Sequence, residues 1–357
     1  MPNTQLIQDS ISLLQSLIQT PSLSKEEDNT AEIITAFFES KNCKVERIGN
    51  NIIVRNKFFD PTKKSILLNS HHDTVKPSAS YTLDPYEAIT KDGKLFGLGS
   101  NDAGGALVSL IACFLHYNEI QDLKYNVILV ASAEEEISGK GGIEMVIPSL
   151  DQVDFAIVGE PTLCKMAIAE KGLLVLDAVS KGKTGHAARN EGVNAIEIAM
   201  KDIAWLYSKP FTKVSDLLGP VHVNVTVIET ENKAHNVIPD QCKFVVDIRV
   251  NELYNFNEIL EQISEHCQST YTPRSKRMRS SMIPLTHELV QNGISMGLEY
   301  YGSPTTSDKA LMPFPALKLG PGDSARSHTA DEFIYLNEIE QGIDCYIQII
   351  EKLILSK

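Results

Sequence analysis

Apolar positions along this chain gather into short runs that empty into polar loops. Ile66-Leu67-Leu68 runs into Asn69-Ser70-His71-His72-Asp73-Thr74-Val75, and the apolar stretch 127–131 runs out into Glu134-Glu135-Glu136. Residues 155–158 end at Gly159-Glu160-Pro161-Thr162, and Ala316-Leu317-Lys318-Leu319 leads through Gly320-Pro321-Gly322 to His328. Continuous apolar runs of this length predict strands buried on both faces, as in a mostly parallel sheet. In open α/β sheets ligands bind just beyond the carboxyl ends of the strands. The pattern therefore predicts histidines and carboxylates along one edge of a sheet.

Helical spacing fills the intervals. Leu6, Ile7, Ile11, Leu14, Leu17 and Ile18 predict an amphipathic helix over 4–18, and Ile33, Ile34, Phe37 and Phe38 give a second helix its core face. Ser24 and Glu27 have the spacing of a capping box for that second helix. Strands at 45–47 and 52–54 flank the turn Gly49-Asn50-Asn51. The glycine-rich stretch 95–105 precedes an apolar helix from Ala106 to Phe114, and Asp102 stands just ahead of it, where an N-cap is the ordinary role. Ile339, Ile343, Tyr346, Ile347, Ile350 and Leu353 predict a closing helix.

Between about 172 and 272 the pattern changes. Longer strands with partial alternation are expected at 173–179, 221–228 and 244–250, with helices at 192–207 and 256–267. That βαββαβ-like order predicts an α+β, ferredoxin-like insert in an α/β chain. The expected division is a first part of the larger domain over 1–170, the insert over 171–273, and the second part over 274–357.

Length and composition narrow the class. At 357 residues two domains are expected, and 43% hydrophobic residues describe a globular enzyme-sized protein. No apolar stretch reaches the roughly 18 residues of a membrane span. The start, Met1-Pro2-Asn3-Thr4-Gln5, lacks the layout of a secretory signal, and six scattered cysteines fit reduced thiols in the cytoplasm. A formal net charge of −13 argues against nucleic acid as a partner. One basic cluster runs from Arg274 through Lys276 and Arg277 to Arg279; it reads as a solvated linker or as a positive strip near an anionic substrate.

The residues that follow the predicted strands carry the chemistry. His71, Asp73, Asp102, the Glu134-Glu135-Glu136 run, Glu160 and His328 combine imidazoles with carboxylates and include no thiol, which suits a hydrolytic site for zinc, manganese or cobalt. The set exceeds what one tetrahedral ion needs, so two ions sharing a bridging carboxylate are expected, with one of the adjacent glutamates left as general base. Singly, each residue has a structural alternative: a histidine in a loop, an N-cap, a helix start, a turn.

As a set, SHHDTV, GLGSNDAGGAL, ASAEEEISGKGG, VGEPT, GKTGHAARNEGVNAI, NVIPDQCKFVVDIR and GPGDSARSHTADEF resemble the M20 family of zinc aminoacylases and exopeptidases over essentially the whole chain. The resemblance implies that His71, Asp102 and Glu160 hold one metal and that Asp102, Glu136 and His328 hold the second, with Asp102 bridging. It implies that Asp73 orients His71 and that Glu135 is the general base. The shifted register, with Glu134 as base and Glu135 as ligand, remains open at this stage. It further implies that His186, often reaching the site from a partner subunit, stabilises the oxyanion, and that Asn236 and Arg249 bind substrate carboxylate; for Arg249 an ion pair on its own strand face is the alternative. The Gly322 loop would line the substrate pocket, and the insert would be a lid through which the chain dimerises.

This sequence departs from the family pattern at Leu98, at Ala103-Gly104 and near Asn190, none of them an expected ligand. Within the family it most resembles the N-acetyl-L-ornithine deacetylase branch of arginine biosynthesis. N-succinyl-ornithine or N-succinyl-diaminopimelate desuccinylases, with Arg279 or Arg326 receiving the succinyl carboxylate, and di- or tripeptidases are the alternatives. A catalytically inactive binding relative is disfavoured because every expected ligand and the glutamate base are present.

Overall fold

The computed structural model describes residues 4–150, 152–189 and 191–355; Asn190 lies outside them. The chain divides into two compact units. The larger comprises Met1–Ile168, Met282–Tyr301 and Ser307–Lys357, and the smaller Ala169–Ser281 with Gly302–Thr306. The smaller unit thus extends to residue 281 and recruits 302–306, because Ser303 O accepts the Lys171 amide and Thr306 Oγ1 donates to Lys171 O.

In the larger unit the central strands run in the order Val45–Ile48, Asn51–Arg55, Asn126–Ser132, Ser65–His71, Val153–Gly159, Ala316–Leu319. The last four are mutually parallel, and the first two are added antiparallel at one edge. Ser65–His71 and Asn126–Ser132 are buried along their whole length, which is why both read as unbroken apolar runs before their polar ends. One face packs Leu67, Ile128, Val130, Ala156 and Val158 against Ile143 and Val146. Elsewhere in this unit the helices Thr4–Ile18, Gly105–Asn118 and Leu336–Ile354 pack on one another. Their packing includes Ser10 Oγ donating to Val108 O and Tyr117 OH to Ile347 O.

The second helix, Asp28–Ser40, does not start with the expected capping box. The Ser24 hydroxyl donates instead to Asp73 Oδ2 at 2.7 Å, and Glu27 accepts the amides of Lys25 and Glu134. A long-range carboxylate outcompetes the local cap.

The smaller unit has the order β-α-β-β-α-β and a four-stranded antiparallel sheet. In chain order the strands are Gly172–Lys181, His222–Glu229, Gln241–Val250 and Thr270–Pro273, and their spatial order is fourth, first, third, second. This is the ferredoxin-like arrangement. The helices Ala195–Tyr207 and Phe256–His266 are N-capped by Asn194 and Asn255 and belong to the same core as Leu174, Phe244 and Val246. Of the basic cluster, Arg274 pairs with Asp177 and Lys276 donates to Asn257, so these two are anchored within the unit. Among the described residues no helix is long and apolar enough to cross a membrane.

Candidate metal centre

Parallel register brings the ligand-bearing ends together. His71 is level with Ser132, Asn69 with Val158, and Leu319 with Gly159, so the polar residues that follow each strand leave the sheet at the same edge. Asp102 arrives from a tight turn, Ser100–Gly104, immediately before the helix Gly105–Asn118. The cap position is Gly104, and no side chain caps the helix, so the N-cap role fails for Asp102. Its carboxylate faces two histidines. Oδ1 lies 3.4 Å from His71 Nε2, and Oδ2 lies 3.7 Å from His328 Nε2.

Each histidine has a second carboxylate beside it. Glu160 Oε1 is 4.0 Å from His71 Nε2, and Glu136 Oε2 is 3.0 Å from His328 Nε2. His328 adopts a left-handed backbone, φ +57°, a conformation that non-glycine residues tolerate mainly where a site demands it. His72 points elsewhere, its ring nitrogens bonded to Thr30 Oγ1 and Asn50 O, so it is structural.

The three glutamates separate cleanly. Glu134, itself at φ +53°, accepts the Gly141 amide with its own carboxylate. A Cβ at Gly139 or Gly141 would fall 2.0 or 2.3 Å from that carboxylate, so two glycines shape its pocket. Glu136 turns to His328. Glu135 shares a cluster with His71 and Glu160.

Asp73 does more than orient His71. The His71 Nδ1 partner is the Asp73 main-chain oxygen at 3.0 Å, with the carboxylate at 3.4 Å. The carboxylate accepts the amides of Glu135 (3.0 Å) and Glu136 (3.1 Å) as well as the Ser24 hydroxyl. One buried side chain thereby fixes the backbone of both Glu135 and Glu136.

The sequence marks Glu27 only as half of a capping box and gives no role to Asp308, Asn101 or Glu332. All four act through bonds to distant segments: Asp308 accepts from Ser132, for example, and Glu332 from the Asp102 amide. Acidic residues beside the histidines were the available signal for Glu332, and nothing local marked Asp308 or Asn101.

Crowded negative charge sets the electrostatics. Burial, then the neighbouring Asp102 and Glu136 carboxylates, push the Glu160 carboxyl up to about 8 despite the nearby Lys318 ammonium. Burial raises Glu135 well above the usual carboxylate range, and Glu160, Asp308 and Glu136 add to the rise, against His71. His328 is raised to about 9 by its bond to Glu136. Burial is the largest single influence on Asp102 and opposes its ionisation, yet the bond to and charge of His71, together with Ser327 and His328, outweigh it and hold the carboxyl low. Such an excess of carboxylate around two imidazoles is what divalent cations neutralise. Ligand atoms of His71, Asp102 and Glu136 lie within 4.8 Å of one another, as do those of His71, Glu135 and Glu160. Oxygen and imidazole donors without thiolate fit a hydrolytic metal site.

Residues 67–352 match the profile of peptidase family M20/M25/M40. The chain belongs to this family. It is a metal-dependent hydrolase of the deacetylase, desuccinylase and peptidase kind. It is 28% identical over 357 residues to an acetylornithine deacetylase of Buchnera aphidicola, covering 91% of this chain and 92% of that one. It is 25% identical over 284 residues to a succinyl-diaminopimelate desuccinylase of a Ruegeria species, covering 75% of this chain and 72% of that one. Among solved structures, a Staphylococcus aureus tripeptidase superposes with a TM-score of 0.78 at 20% identity, covering 97% of this chain and 98% of the other. A dinuclear metal-binding M20 peptidase of Bacillus subtilis gives 0.75 at 15% identity, over 99% and 100% of the two chains.

The remaining expected residues lie as follows. Gly322, in the larger unit, has φ +86°, and a Cβ there would meet Asn101 Oδ1 at 2.5 Å. Pro321 and Gly322 line a cavity of about 380 Å3 with Leu163, Cys164 and Cys345, and none of the five expected ligands lines it. His186, Asn236 and Arg249 belong to the smaller unit. His186 is exposed on a short strand pairing with Val237, and the Asn236 main-chain oxygen accepts the Ala187 amide beside it. Arg249 Nε and Nη2 grip Asp247 at 2.8 and 3.1 Å, so its guanidinium holds a carboxylate of its own strand. Arg326 is likewise engaged by Glu338, at 2.7 and 2.9 Å.

Proposed function

We propose that this enzyme hydrolyses the amide bond of a small N-acyl amino acid at a pair of divalent cations, with N-acetyl-L-ornithine as the favoured substrate. The observation that carries the reading is Asp102, whose two oxygens face His71 and His328 separately, each histidine with its own glutamate. His71, Asp102 and Glu160 would hold one ion, and Asp102, Glu136 and His328 the other. Zinc is favoured over cobalt or manganese by the imidazole content. Bound there, the cations would polarise the scissile carbonyl and acidify water.

The protein side of the chemistry follows from the residues. Glu135, whose raised affinity for a proton suits a base that must later act as an acid, takes the proton of the attacking water on a carboxylate oxygen. It then delivers that proton to the departing amine nitrogen. The bond from the Gly141 amide to the Glu134 carboxylate supports the register with Glu135 as base. An imidazole N–H of His186 stabilises the tetrahedral oxyanion, as one such donor contributes about 3 kcal/mol to a transition state. Asn236 and, once Asp247 is displaced, Arg249 receive the substrate carboxylate. The smaller unit serves as lid and as the dimerisation surface, and the enzyme acts in the cytoplasm.

Arg326, like Arg249, is held by a neighbouring carboxylate, so a succinyl tail would have to displace Glu338 to reach it. Side-by-side turnover of N-acetyl-ornithine, N-succinyl-ornithine, N-succinyl-diaminopimelate and a tripeptide by zinc-loaded enzyme tests the choice. A kcat/KM for N-acetyl-ornithine below that of any of the others contradicts it.

A further inference from the structure

We propose that Glu332 is a positioning residue that sets the metal-bridging carboxylate, Asp102, from behind. The inference rests on the two-cation reading above and deepens it.

The turn that presents Asp102 is irregular. Gly99 has φ +76°, and Asp102 and Ala103 leave the helical region at φ −117° before the helix begins. Amides in such a turn have no ladder partner of their own, and buried amides need one. Glu332, only 2% exposed, supplies it. Its Oε1 accepts the amides of Asn101 (2.8 Å) and Asp102 (2.9 Å), and its Oε2 accepts Gly99 (3.1 Å). Three N–H donors on one carboxylate make a rigid, charge-assisted clamp.

Strand pairing places the clamp. Phe333–Tyr335 runs antiparallel to Lys94–Phe96 with Phe333 opposite Phe96, and the Gly97 amide donates to Glu332 O. The register therefore puts Glu332 against the turn. Four residues earlier the same segment carries His328, which faces the other oxygen of Asp102. Asn101 adds a second tie. Its Oδ1 accepts the Asp323 amide at 3.0 Å, and its Nδ2 donates to Asp323 O and to Ser327 Oγ. The turn that holds Asp102 and the loop that holds His328 are thus stapled on both sides of the ligand pair. Sequence position alone would make Glu332 an acidic neighbour of the histidine. The hydrogen bonds make it the part that decides where the bridging carboxylate sits relative to His328.

Glu332→Gln keeps the shape but turns an amine toward at least one of the three amides. Its effect falls mainly on the ion shared by Asp102, Glu136 and His328, because two of that ion's three ligands, Asp102 and His328, lie on segments tied to the clamp, against one for the other ion. Support groups of this kind govern metal affinity by about 10- to 100-fold. The experiment titrates metal-free full-length protein with Zn2+ by calorimetry, with melting of the metal-free forms measured in parallel.

Wild type is expected to bind two ions. Glu332→Gln is expected to bind one with near-normal affinity and the other at least tenfold more weakly. Two ions bound by both proteins with equal affinities overturn the positioning role, even if the variant melts at a lower temperature, since that is what a merely structural acid would give. Fewer than two ions on wild type overturns the two-cation reading itself. Asn101→Ala, which cuts the other tie, carries the same comparison if Glu332→Gln does not fold.

Discussion

Asp73→Asn separates two views of a single buried carboxylate. If Asp73 only orients His71, the amide should be a mild change, because the closest His71 Nδ1 partner is the Asp73 main-chain oxygen at 3.0 Å, which the substitution keeps. If it sets the Glu135–Glu136 backbone, the change is severe. The two amides sit 3.0 and 3.1 Å from separate carboxylate oxygens whose side chain has no exposure. Asparagine can accept from one of them and must present its amine to the other. Losing one charge-assisted bond and leaving a buried amide unpaired costs about 2–4 kcal/mol. A displacement of Glu135 by about 1 Å costs about 100-fold in rate. Steady-state kinetics of the zinc-loaded variant should show kcat at least about 100-fold down with KM within a few-fold, and chemical denaturation should show the stability loss. Ser24→Ala, which removes only the hydroxyl bond to the same carboxylate, should leave kcat within a few-fold. A kcat for Asp73→Asn within threefold of wild type, with full metal content, refutes the reasoning.

Glu135→Gln should retain its metal complement, measured by elemental analysis, and lose turnover; near-normal rates would reassign the base. Metal-free protein should lose stability as pH rises. Asp308 and Glu332, with ordinary values of 3.8 and 4.5, are pushed to about 6 and about 7, in both cases chiefly by burial. The folded state therefore holds protons that the unfolded chain has released, so stability falls through the window from about pH 4 to pH 7. Melting in the presence of chelator should show a decreasing midpoint across that window, and a rising midpoint contradicts the sign.

Much of this site was readable in the chain because its logic is local. Buried parallel strands need unbroken apolar runs, and the residue after each run leaves at the same sheet edge, so His71, Glu136 and Glu160 announce themselves by position. The ferredoxin-like insert showed in its change of period. What escaped was whatever depends on bonds between remote segments. Ser24 looks like a helix cap until Asp73, 49 positions away, takes its hydroxyl. Glu332 gives no sign of its three amide partners some 230 residues earlier. Within Glu134-Glu135-Glu136 the sequence favours Glu135 as base and Glu136 as ligand but leaves the shifted register open, and the bond that turns Glu134 onto Gly141 is visible only in the folded loop. Arg249 reads in the sequence as a receptor for substrate carboxylate or as one half of a strand-face ion pair, and Asp247, two residues away on the same face of its strand, takes its guanidinium.

The measurement that bears most directly on the central claim is anomalous diffraction from crystals of the zinc-loaded enzyme. Two peaks about 3.5 Å apart are expected, one beside His71 and Glu160, the other beside His328 and Glu136, with Asp102 between them. A single peak, or ions bound away from Asp102, would contradict the account.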